Sequence, residues 1–209
     1  MIRPAGFRGA AFGDASDGNG RDDVHAREVI STELSISTEW AFVRQVHGAV
    51  VARVERTGSA GDADGLVTDR PGLPMVIATA DCVPVIIEGD RSIAVVHAGW
   101  RGVAAGVIPA GLDAIRERGD TPRRAAIGPS IGPCCYEVGE EVLAAIPHHT
   151  STTTFGTPSV DLRGAAERQL GGLEVWRSDR CTFTEPDLWS YRRDGTPHRQ
   201  IAVAWVPER

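Results

Sequence analysis

An α+β fold, one domain of mixed β-sheets flanked by helices, is what this sequence predicts, and three observations carry the expectation. Residues 75–102 hold three apolar, β-branched runs, MVIAT, VPVIIE and SIAVVHA, whose lack of clean alternation marks strands covered on both faces. Helical patterns stand both before and after these runs. The 209 residues contain no repeat and no low-complexity linker, enough for one sizeable core where two full domains would be cramped. The chain is therefore read as a single domain, 1–209, with a short variable N-terminal region, 1–39.

Taken in order, GDASDGNGRDD (13–23) is rich in Gly, Asp and Asn and reads as a mobile loop or turn cluster. HAREVISTEL (25–34) predicts a short helix, and WAFVRQVHGAVVARVE (40–55) one or two strands broken near Gly48. TGSAGDADG (57–65) reads as another loop, followed by LVTD. After Gly102, VAAGVIPAGLDAIRERG predicts a helix ending at Gly119, with Pro109 kinking it or splitting off a first turn. AAIGPSIGPCCYEVG is a strand running into a Gly/Pro-rich turn, and EEVLAAI and DLRGAAERQLG are two more helices. LWSYRRDGTPHRQIAVAWV predicts a hairpin turning at Asp194-Gly195.

The apolar share of 42% and charged share of 24% are those of an ordinary soluble globular protein. Net charge is −6, and all 22 basic residues are Arg. The lack of Lys excludes Schiff-base chemistry and a P-loop lysine, and the acidic balance argues against nucleic acid as a partner. MIRPAGFRGAAFGDASDG carries no basic-then-apolar signal and no apolar run approaches a membrane span, so the expected location is cytoplasmic, without a membrane partner. Cys82, Cys134, Cys135 and Cys181 are then read as thiols or ligands rather than disulfides.

Around the turn EGDR (88–91) the flanking strands are expected to pair with Cys82 opposite His97 on one face. Opposed residues have Cβ atoms about 4.5–5.5 Å apart, a reach that suits two ligands of one metal. A four-residue loop is preferred, because it places Pro84 in a non-hydrogen-bonded pair and spares it a bond it cannot donate. His47, in QVHG, is the natural third ligand. Two imidazoles and a thiolate match zinc, with copper as the alternative, and three protein ligands leave a position for water or substrate. Against this, a lone His at a strand end is more often structural and a lone Cys in an apolar run more often core.

The strings RQVHG, DADGLVT, ATADCVPV, VVHAGWRG, IGPSIGPCCYEVG and SYRRDG, in that order over residues 40–205, resemble the YfiH-like family, long labelled polyphenol oxidoreductase or laccase. The resemblance implies a YfiH-like catalytic domain that binds zinc through His47, Cys82 and His97. It also implies purine nucleoside chemistry: phosphorolysis of adenosine, inosine or methylthioadenosine, and deamination of adenosine. Two departures are visible: the N-terminal region is short, and TPHRQ carries His198 where the family usually has Gly.

Phosphorolysis requires a phosphate dianion beside the sugar, which assigns Arg44 and Arg101, flanking two ligands, to phosphate. The competing reading pairs them with Asp62, Asp64 or Asp81. Asp81 is a candidate acid/base or ligand-orienting carboxylate. Gln45, Cys135, Tyr136 and Arg193 are candidates for substrate contact, with Arg192 a weaker one and Cys135 also read as a structural thiol. No H-x-E signature supplies the carboxylate that metal deaminases use, so phosphorolysis is expected first. The alternatives are copper-dependent phenol oxidation, a hydrolase with Cys82 or Cys135 as nucleophile and His97 as base, and a non-catalytic zinc-stabilised binding module. Six His, of which two are well placed, are few for multicopper chemistry.

Overall fold

In the computed structural model, which describes residues 1–208, the chain begins with β1 (Ala10–Phe12), α1 (Val24–Leu34), β2 (Ala41–Arg44), β3 (Val51–Arg53), β4 (Gly58–Asp62) and β5 (Gly65–Thr68). The three apolar runs become β6 (Met75–Thr79), β7 (Val83–Gly89) and β8 (Ile93–Ala98). There follow α2 (Trp100–Ala105), α3 (Val107–Arg116), β9 (Pro122–Ile127), α4 (Glu140–Ala145), β10 (Thr150–Thr152) and β11 (Pro158–Val160). The chain closes with α5 (Leu162–Gln169), β12 (Glu174–Arg177), α6 (Tyr191–Asp194) and β13 (Gln200–Ala204).

The strands form a five-stranded sheet, β1-β13-β6-β2-β4, a six-stranded sheet, β12-β9-β7-β8-β5-β3, and the ribbon β10-β11. Both large sheets mix parallel and antiparallel pairs, as the predicted α+β class requires. They pack face to face. Phe12, Val43, Met75 and Ile77 of one meet Leu66, Ile86, Ile93 and Val95 of the other. The outer face of the six-stranded sheet is covered by α3 and α5 through Ile108, Leu112, Ile115 and Leu162, and that of the five-stranded sheet by α1 through Ile30 and Leu34. Each central strand therefore has apolar cover on both sides, the physical reason β6 to β8 lack alternation.

Four expectations are corrected. TGSAGDADG is not simply a loop: β4 pairs parallel to β2 as an edge strand, and two Gly at positive φ removed the apolar pattern that would have betrayed it. The helix after β8 starts at Trp100, and its break is made by Gly106 (φ 85°), a left-handed conformation glycine adopts without cost, rather than by Pro109 in the first turn of α3. The C-terminal segment makes α6 and not a hairpin, because Ser190 accepts the Arg193 N–H as N-cap and Gly195 (φ 61°) terminates the turn.

The fourth correction concerns the β7–β8 register. Pro84 and not Cys82 lies opposite His97. The loop is the pair Asp90-Arg91, closed by the Gly89 N–H on Ser92 O. The distant carboxylate of Asp120 accepts from the backbone N–H groups of Asp90, Arg91 and Ser92, which stabilises this tighter loop. Because the register is displaced by two residues, every side chain keeps its face. Pro84 still falls in a non-hydrogen-bonded pair, and His97 donates its backbone N–H to Asp64 O on the other side instead.

Candidate metal centre and ligand cavity

Three connections cross from the five-stranded to the six-stranded sheet: 45–50 between β2 and β3, 63–64 between β4 and β5, and 80–82 between β6 and β7. They converge at one place. His47 lies on the first, Asp64 on the second and Cys82 on the third, while His97 reaches them from β8. His97 has the parity of Ile93 and Val95, which face the inter-sheet core.

Asp64 organises the centre. Its fully buried carboxylate accepts the backbone N–H groups of Val46 (3.2 Å), His47 (2.9 Å) and Gly48 (2.6 Å), and its Oδ1 lies 2.9 Å from His97 Nδ1. Three successive N–H groups on one carboxylate hold His47 at φ 61°, in the left-handed region. Asp81, at φ 89°, makes the corresponding sharp bend before Cys82. Backbone in such regions persists only where its surroundings enforce it.

The ligand atoms of His47, Cys82 and His97 all lie within 4.8 Å of one another, and the two imidazoles meet edge to face at 4.8 Å between centroids. Tetrahedral bonds of ~2.0–2.3 Å place ligand atoms roughly 3.3–3.8 Å apart, inside that limit. Asp64 on His97 Nδ1 leaves Nε2 for an ion, the arrangement in which a carboxylate orients a ligand ring. Burial works against charge here, but hydrogen bonds from both imidazoles bring the Cys82 thiol down to about 6. Burial also opposes the His97 imidazolium, yet Asp64 and Cys82 together raise the ring to about 9. Asp64 is held below the usual carboxylate range in spite of burial, by His97 and the backbone donors. The donor set fits a divalent transition metal: one thiolate, two imidazoles and a neighbouring carboxylate.

Gly99 completes the cradle. A Cβ there would stand 3.0 Å from His47 Cδ2 and 3.2 Å from Cys82 Sγ. Gly99→Ala is expected to displace both ligands by a few tenths of an ångström and weaken metal binding by roughly tenfold or more, as loss of a supporting contact does. A competition titration against a chelator checks this. Unchanged affinity would show that the crowding is absorbed elsewhere.

The group borders a cavity of about 780 Å³, the size of a small-molecule site. Arg44, Gln45, Asp81 and Tyr136 line it together with the three ligands, and so do Arg21, Arg192 and Arg199, whose contribution the sequence reading had missed or ranked lower. Arg44 pairs with Asp62, the competing reading for this residue. The Gln45 amide accepts the Ala78 N–H and an Arg21 N–H and donates to Ala78 O, so its polar atoms are engaged within the protein. Burial pushes the Tyr136 hydroxyl up to about 12, with Cys82 and Asp81 adding to the effect.

Asp81 accepts from Thr182 Oγ1 (2.6 Å) and the Arg192 N–H (2.7 Å), so it anchors α6 and does not orient an imidazole; Asp64 does that. Its DADG string stood in the sequence, but only the fold shows that residue 64 lies under His97. Arg101 sits over the Trp100 ring with Glu141 at 3.8 Å and does not line the cavity. Arg193 donates to the carbonyls of Thr182, Glu185 and Leu188 and pairs with Asp194. Cys135 is buried outside the cavity beside Cys134, and burial with its sulfur neighbours pushes its thiol far up, the opposite of an activated nucleophile. His198 rests against Trp189 at 4.7 Å and does not line the cavity.

Fold and site together define a class: an α+β protein with a His-Cys-His metal group set where two sheets exchange strands, facing a ligand-sized cavity. Residues 6–207 match the family model described as multi-copper polyphenol oxidoreductase laccase, and the chain belongs to that family, the YfiH-like one its motifs resemble. It is 36% identical, over 98% of its length and 92% of the relative's, to a purine nucleoside phosphorylase of Streptomyces griseus. It is 39% identical to one of Mycobacterium bovis, over 79% of this chain and 71% of the relative. The crystal structure of YlmD from Geobacillus stearothermophilus superposes with a TM-score of 0.86 at 27% identity, over 100% of this chain and 98% of that one. Among the described residues no helix is long and apolar enough to cross a membrane.

Proposed function

We propose that the chain is a zinc-dependent purine nucleoside phosphorylase acting on adenosine, inosine and methylthioadenosine, with adenosine deamination as a lesser activity of the same site. The observation that carries this reading is the convergence of His47, Cys82 and His97 on one cavity that Arg44 and Arg192 also line. The names of the relatives support it.

In phosphorolysis the N-glycosidic bond breaks through an oxocarbenium-like state, phosphate attacks C1′, and the purine leaves with the electron pair. Arg44 is exposed and its pair with Asp62 is weak in solvent, so a phosphate dianion can take the carboxylate's place. Arg192 keeps one nitrogen on Glu137 O and lies 5.2 Å over the Tyr136 ring, fixing its position for a second contact. The Tyr136 hydroxyl, kept protonated, donates to the departing base. A zinc ion held by the three ligands supplies Lewis acidity at that wall of the cavity. Deamination wants a free carboxylate beside the metal, and the oxygens of Asp64 and Asp81 are both engaged, which favours phosphorolysis.

The family description keeps copper-dependent phenol oxidation as the second reading. Several His-rich ligand sets are needed for it, and among the described residues one metal-competent group contains histidine.

A nucleoside panel assayed with and without phosphate, with products separated by chromatography, tests the reading. Inosine or adenosine should yield free base and ribose-1-phosphate, faster than adenosine is deaminated. Arg44→Ala and Arg192→Ala should each lower the phosphate-dependent rate roughly ten- to a hundredfold while keeping the metal, with Arg101→Ala as the comparison outside the cavity. Base release that proceeds equally without phosphate would mean hydrolysis, and an adenosine reaction giving inosine alone would mean deamination.

A further inference from the structure

Behind the cavity wall, outside the site just described, Cys134, Cys135 and Cys181 bring three sulfurs within 4.8 Å of one another. Cys135 and Cys181 are buried, and Cys134 is half-buried at the edge of the group. Cys181 Sγ accepts the Gly132 N–H at 3.1 Å, and Cys134 Sγ lies 3.7 Å from Cys181 Sγ and 2.7 Å from Cys135 Sγ.

A second observation is independent of the thiols. Arg163 is 8% exposed, donates Nη1 to Ser178 O and Arg180 O, and among the described residues pairs with no carboxylate. A buried cation without a counter-charge is costly. Its Nη2 sits across Gly132 from the sulfurs: a Cβ on that glycine would be 2.8 Å from Nη2, 3.3 Å from Cys134 Sγ and 3.5 Å from Cys181 Sγ.

We propose that Cys134, Cys135 and Cys181 form a second metal site, which takes one divalent thiophilic cation of the zinc class, with Arg163 as its counter-charge. Charge and spacing both point this way. Three thiolates, one divalent ion and one guanidinium sum to zero, whereas protonated thiols without an ion leave the buried Arg163 with no counter-charge. Tetrahedral zinc with bonds of about 2.3 Å sets sulfurs about 3.8 Å apart. The Cys134–Cys181 distance already matches, and Cys134 has to swing away from Cys135. Binding displaces the thiol protons to solvent and changes no oxidation state. The ion ties the turn that carries Tyr136 to the segment whose Thr182 holds Asp81, so it braces one wall of the cavity.

The test uses the Cys82→Ala protein, in which the His47–Cys82–His97 group is broken, prepared under reducing, oxygen-free conditions and titrated with zinc against a chelator. About one zinc per chain should remain, with a sulfur-dominated shell by X-ray absorption, and adding Cys134→Ala or Cys181→Ser should abolish it. Folding of each variant is followed by circular dichroism. Should Cys181→Ser fail to fold, the half-buried Cys134→Ala decides alone. A Cys82→Ala protein free of zinc, a shell of nitrogen and oxygen, or a Cys134–Cys181 disulfide in place of bound metal would each overturn the proposal.

Discussion

Cys82→Ala is expected to cost the protein one zinc per chain relative to wild type, and with it essentially all turnover of nucleosides. The thiolate is the anionic member of the ligand group, and two imidazoles hold its thiol down at about 6, so it is ready to coordinate near neutral pH. Without it, only the exposed His47 ring and the buried His97 ring remain, the latter already committed through Nδ1 to Asp64. Two imidazoles do not complete a zinc site. Elemental analysis of the purified variant reads the result, together with a thermal melt to show that the fold persists. A variant that keeps wild-type metal content and activity would remove Cys82 from the centre.

Asp64→Asn is expected to be the most damaging single-atom exchange in the molecule. Every partner of this carboxylate is a donor: three backbone N–H groups and the His97 ring. An amide must turn its NH2 toward some of them, leaving buried donors face to face, and the raised imidazolium of His97 loses its counter-charge. Breaking a buried ionic group in this way costs about 3–5 kcal/mol. The metal should also weaken by roughly ten- to a hundredfold, the usual effect of removing a carboxylate behind a ligand histidine. Denaturant unfolding and a chelator titration measure the two effects separately. A variant as stable as wild type, with unaltered affinity, would mean that the crossover loops are held by something other than Asp64.

How legible the molecule was from its residues differs from element to element. β6, β7 and β8 were plain because a strand buried on both faces needs an unbroken apolar run. β4 was hidden because GSAGD has no apolar pattern and is held by backbone bonds to β2 alone. The C-terminal turn was misread because DG is a hairpin signal, while the cap that makes it a helix end depends on Ser190 and on Asp81, far away in sequence.

Residue order by itself determined the face of Cys82 and His97, since side chains alternate along a strand and an error of two residues preserves that face. The motif strings fixed the family and with it the expected ligand trio. Tertiary structure decided the rest. Asp120 sets the β7–β8 loop, and three sheet-to-sheet crossovers carry His47, Asp64 and Cys82 to one point. The sites of Arg21, Arg192 and Arg199, which line the cavity where Arg101 does not, emerge only when α6 is anchored on Asp81 and the N-terminal segment has folded against Gln45. The reason is physical. Local sequence governs backbone preference and side-chain parity, whereas a polar site is completed by carboxylates and guanidinium groups whose partners lie tens of residues away and meet only after the core has closed.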